Sequence, residues 1–76
     1  MKKITAKFIT ENIDKLMHGE KINYGGNVYS AVPEMDDNGY CTDNATIYRW
    51  TRDDLIAGVN NGMEYGKIIN GIAYKF

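Results

Sequence analysis

Apolar and polar positions change period several times along this chain of 76 residues. Lys3-Ile4-Thr5-Ala6-Lys7-Phe8 alternates, which is the period of a half-buried strand. Ile9, Ile13, Leu16 and Met17 then fall on one helical face, with Thr10 as the candidate N-cap and Gly19 as the stop. A continuous helix from Thr5 to His18 is the alternative. The strand is preferred because Ile4 and Phe8 would point away from the apolar face of such a helix. Residues 21–24 and 28–32 flank Gly25-Gly26-Asn27 and predict a hairpin, whose second strand Pro33 should end.

From Glu34 to Asn44 the chain is acidic and rich in turn residues, so it reads as the single long loop. Residues 45–50 carry Ile47, Tyr48 and Trp50, all good sheet formers, and predict a strand. Thr51-Arg52-Asp53-Asp54 has the form of a capping box with Asp in place of Glu. It should open a second helix reaching about Val59, which Asn60-Asn61-Gly62 would terminate. Residues 65–69 and 72–76 flank Asn70-Gly71, the strongest short hairpin signal, because both central residues must take positive φ.

Laid end to end, these elements read β-α-β-β twice. At an offset of 41 residues Thr5 falls on Thr46, Ile9 on Trp50, Tyr24 on Tyr65 and Gly25 on Gly66, which raises an internal βαββ duplication. The expected fold is one α+β domain over residues 1–76: a mainly antiparallel sheet of about six strands with two short helices on one face. Such a layout leaves the other face open unless something covers it.

Size sharpens this expectation. A chain of 8.6 kDa exposes roughly 12,500 Å² unfolded and about 4,700 Å² folded, so a monomer is only marginally stable and self-association as a homo-oligomer fits. No apolar run approaches the length of a membrane span, which argues against a membrane partner. Met1-Lys2-Lys3 starts like a signal peptide, but Lys7, Glu11 and Asp14 interrupt what should be an apolar run and cleavage site. A cytoplasmic location is therefore expected. The single cysteine, Cys41, leaves no internal disulfide and no thiolate metal cluster.

Candidate chemistry is sparse. With one histidine and one cysteine there is no Ser-His-Asp or Cys-His pairing, so an enzyme is not expected, nor is any cofactor. His18 is expected at the end of the first helix, where its ring can bond the last carbonyls. Cys41 sits among acids that work against a reactive thiolate, and it reads as incidental. Glu34, Asp36 and Asn38 followed by Gly39 mimic a calcium loop, but Ala45 stands where a bidentate Glu is required, so an ordinary turn is preferred and no metal is expected.

Charge and aromatics carry the functional reading. Net charge is -1 overall, yet residues 33–54 hold six acids against two Arg, while the segments on either side are mildly basic. The acidic stretch is either a solvated loop or a docking surface for a basic patch on another protein, where complementary charge speeds encounter. Six Tyr, one Trp and two Phe fall mostly in expected strands. Alternation puts Tyr48 and Trp50 on one sheet face and Arg49 on the other. Aromatic residues there serve the core or a binding surface. The leading expectation is a small protein-binding module acting by occlusion or regulation of a partner. Its size and lack of a catalytic constellation associate it with phage or mobile-element accessory inhibitors. Its partner-binding residues would be Glu34, Asp36, Asp37, Tyr40 and Asp43 in the loop, with Tyr48 and Arg49 in the following strand.

Two alternatives stand beside it. A nucleic-acid-binding regulator would use Lys2, Lys3, Lys7, Arg49 and Arg52 with stacking tyrosines, and would lose affinity steeply with salt. A small-ligand binder would place its pocket at a homodimer interface, and added nucleotide would then raise the melting temperature. The turn reading of residues 34–45 makes its own prediction: calorimetry with calcium should give no binding heat at millimolar metal. A saturating isotherm would restore the cation site.

Overall fold

A computed structural model describes residues 1–51, 53 and 62–76. Its elements are β1 (Lys2–Lys3), α1 (Lys7–Thr10), α2 (Ile13–Met17), β2 (Ile22–Tyr24), β3 (Asn27–Met35), β4 (Cys41–Thr51), β5 (Met63–Ile69) and β6 (Ile72–Lys75). The six strands form one antiparallel sheet in the order β1-β6-β5-β4-β3-β2. Five consecutive strands therefore make a meander, and the N-terminal strand returns beside the last one. The architecture is the expected small α+β domain with more sheet than helix.

Both hairpin turns form as their sequences require. Gly25 and Gly26 take φ of 58° and 80°, and Asn70 and Gly71 take 51° and 81°. Two successive positive φ values match the twist of the flanking strands.

Four expectations are corrected. The strand over residues 3–8 shrinks to Lys2–Lys3, and helix begins at Lys7. The cause is Phe8, whose ring stacks on Tyr24 at 4.0 Å and leans on Tyr29 at 4.9 Å, contacts that a strand would forfeit. The single first helix becomes two short ones, and Thr10 ends α1 instead of capping α2. The break still leaves Ile9 and Leu16 facing the sheet, both fully buried. Pro33 lies inside β3 and does not end it. Because β2 pairs only with Asn27–Tyr29, the later part of β3 has a strand neighbour on one side alone, and that is where a strand tolerates proline. The long acidic loop contracts to residues 36–40, since β3 runs to Met35 and β4 starts at Cys41. The second helix, expected over residues 52–59, lies outside the described residues.

The 41-residue duplication does not survive at the level of residues. Gly25 sits in the β2–β3 turn, whereas its supposed counterpart Gly66 sits within β5. The two hairpin turns coincide only at a different offset, one that matches buried Tyr29 with Tyr74 on the opposite sheet face.

The core lies on one face of the sheet. Tyr29, Ala31, Ala45, Ile47, Ile68 and Ala73 point toward Ile4, Ile9 and Leu16. Ile9, Leu16, Ile47 and Ile68 are completely buried, and each contributes on the order of 1.5–3 kcal/mol relative to exposure. Gly66 lets β6 approach this layer, because a Cβ there would run into the Tyr74 carbonyl oxygen and crowd the Lys75 Cα. Gly66→Ala should therefore cost about 1–3 kcal/mol through overpacking against backbone. Urea unfolding measures it, and an unchanged midpoint would show that the strands have room to spare.

Candidate functional site

Alternation along the β3–β4 ladder sorts every side chain to one of two faces. The pairs Tyr29↔Arg49, Ala31↔Ile47 and Pro33↔Ala45 face the helices. The pairs Val28↔Trp50, Ser30↔Tyr48 and Val32↔Thr46 face the other way. Continuing across the sheet, Lys67 and Tyr74 join this outer face. None of these outer residues belongs to the core, and no described helix packs on them. Val32 is 54% exposed and the others are half-buried, with Gly62 lying so close to the Trp50 ring that a Cβ on it would come within 2.7 Å. Tyr48 and Trp50 lie side by side with ring centroids 6.2 Å apart. Glu34 reaches across to Lys67 in an ion pair of 2.7 Å.

The β3–β4 turn lies at one end of these strands. Asp36 Oδ1 accepts hydrogen bonds from the backbone N–H groups of Asn38 (2.9 Å) and Tyr40 (3.0 Å). Asp36 N–H donates to the Tyr40 carbonyl at 2.9 Å, and Gly39, at φ 83°, donates to the Asp36 carbonyl at 3.0 Å. The Asp36 carboxylate is thus engaged in holding the turn. Asp37 is left exposed, and Tyr40, at 72% exposure, is the most prominent aromatic of the chain.

The seven residues singled out from sequence therefore occupy three places. Glu34 and Tyr48 share the outer face. Asp36, Asp37 and Tyr40 form the turn. Asp43 and Arg49 lie on the helix-covered side of β4, away from Tyr48. The basic residues of the nucleic-acid alternative are spread over β1, α1 and β4, with Arg52 outside the described residues. His18 closes α2, and its Nδ1 donates to the Asp14 carbonyl oxygen, as its position in the sequence suggests.

An aromatic row on the inner face went unread in the sequence. Tyr24, Phe8, Tyr29 and Tyr65 follow one another, the last pair edge-to-face at 5.2 Å. Lys75 Nζ lies 4.7 Å and the Arg49 guanidinium carbon 5.9 Å from the Tyr65 ring centre. Tyr65 reaches this face through a bulge. Ile47 pairs with Gly66 but Tyr48 pairs with Glu64, so Tyr65 is the extra residue and turns inward. Gly66, an isolated glycine inside a strand pattern, was the available signal.

No family model, curated protein or solved structure matches the chain. The geometry therefore has to carry the functional reading alone.

Burial raises the Tyr65 phenol above the ordinary tyrosine value, Tyr29 adds to the shift, and Arg49 opposes it. Because the folded state holds this proton more tightly than the unfolded chain, the phenol's contribution is intact below pH 10 and is lost as pH rises through the folded pKa. Thermal melts across the alkaline range should show stability falling there, with a shallower fall in Tyr65→Phe. Identical slopes in the two proteins would remove Tyr65 as the source.

Proposed function

We propose that the chain is a small protein-binding module that occludes or regulates its partner. The observation that supports this reading is the outer sheet face, where Val32 is exposed and no described helix covers Val28 or Tyr48, beside a Trp50 ring that Gly62 approaches from one side. Aromatic residues beside aliphatic ones, with a charged pair at the margin, are the composition of an interface centre and its rim. The acidic turn next to this face supplies long-range attraction to a basic partner, and Tyr40 supplies an anchor. Small size and the scarcity of catalytic residue types support the further reading of a phage or mobile-element accessory inhibitor acting in the cytoplasm. The same open face would also serve self-association.

Two substitutions test the surface. Val32→Glu places a charge at the edge of the outer face, at a residue exposed enough that folding should change by less than about 0.5 kcal/mol. Capture of a protein partner from a nuclease-treated host lysate should be lost in this variant. Asp37→Lys should slow association about tenfold at low salt and much less at high salt. Retention of the partner by Val32→Glu, or recovery that depends on intact nucleic acid, would contradict the proposal.

A further inference from the structure

A cleft of about 390 Å³ lies on the helix side of the sheet, lined by Ile13, Asp14, Met17, Asp43, Asn70 and Gly71. It is separate from the outer face. Three elements frame it: α2 supplies the first three residues, β4 supplies Asp43, and the β5–β6 turn supplies the last two. The frame is fixed. Leu16 is fully buried under α2, and Asn70 N–H donates to Asn44 Oδ1 at 3.3 Å, tying the turn to β4.

The carboxylates of the described residues divide into engaged and free. Glu34 is paired with Lys67, and Asp36 holds its turn. Asp14 and Asp43 have no side-chain hydrogen bond or ion pair among the described residues, and both line this cleft. No Lys, Arg or His among the described residues lines it. Half-buried Ile13 and Met17 supply apolar walls. An apolar wall beside two unpaired carboxylates suits one kind of group: a cation carried on an aliphatic stem. The volume lies at the small end of ligand pockets, with room for one long side chain. Lys and Arg side chains have this build, since they lay their methylenes on apolar surface and keep the charged head at its edge.

We infer that this cleft receives a single lysine or arginine side chain from the protein partner, its stem along Ile13 and Met17 and its head between Asp14 and Asp43. The inference rests on the protein-binding reading and narrows it, because it gives the basic partner a defined point of entry on a second surface. Single-residue probes test it without the partner. N-acetyl-lysine amide and N-acetyl-arginine amide are titrated into the full chain and followed by amide chemical shifts, with N-acetyl-norleucine amide as the uncharged stem and spermidine as a free polyamine. At least one of the charged amides should give saturable millimolar shifts confined to residues around Ile13, Met17, Asn70 and Gly71. The norleucine compound should give none. Asp14→Asn and Asp43→Asn should each weaken the binding about two- to fivefold, as expected for one exposed charge pair, and the dispersed spectrum shows that each variant is folded.

Absence of saturable shifts with both charged amides, equal shifts with norleucine amide, or indifference to both substitutions would overturn the inference. Spermidine binding far more tightly than either amide would overturn it in favour of a free polyamine. Failure here with the lysate partner still captured would refute the cleft alone. Success here with no partner captured would refute the protein-binding reading.

Discussion

The β3–β4 ladder is the constraint on which the rest of the molecule depends. From Asn27↔Thr51 to Pro33↔Ala45 it keeps one register over seven consecutive pairs. The side-chain period of a strand is two, so this register alone decides which residues enter the core and which face outward. Ala31, Ala45 and Ile47 become the floor on which Ile9 and Leu16 sit. Val28, Tyr48 and Trp50 are sent to the opposite face by the same rule. A slip of one residue would exchange the two sets, burying Thr46 and Tyr48 and exposing Ile47. Core and candidate interface are two consequences of one pairing.

The bulge at Tyr65 is the main departure from that rule, and it has a cause. Beside the two described helices, part of the inner face is filled by the row of rings from Tyr24 to Tyr65. Strict alternation would have placed Tyr65 outside with Lys67. The bulge brings it inward, and Gly66 beside it leaves space for the backbone of β6. Each ring pair contributes about 0.5–1.5 kcal/mol beyond its buried area, a sizeable share against the roughly 5–15 kcal/mol by which domains are typically stable. A chain with two leucines uses tyrosine where others would use aliphatic core residues.

Much of the fold was legible in the sequence, because local signals and tertiary structure agree in the hairpins. Gly25-Gly26 and Asn70-Gly71 specify their turns through backbone sterics alone, and the alternation of residues 45–50 assigns faces correctly. The first helical region was misread because the stacking of Phe8 on Tyr24 is a contact between distant elements that no local pattern encodes. Pro33 was read as a stop because the width of β2, which leaves that part of β3 at an edge, is a property of the sheet. The acidic residues looked like one cluster because they are near in sequence. Alternation and the tight turn divide them: Glu34 to the outer face, Asp36 and Asp37 to the turn, and Asp43 to the inner side beside Asp14.

The functional account rests on the same division, since it needs Val32 and Tyr48 outside while Ala31 and Ile47 are inside. Cysteine accessibility along β3 tests this most directly. In a Cys41→Ser background, Val32→Cys should react with a water-soluble thiol reagent nearly as fast as an unfolded peptide, and Ala31→Cys should be strongly protected under the same native conditions. Equal protection at both positions in a monomer would mean that the outer face is covered, and equal reactivity would mean that the register is wrong. Either result would contradict the account.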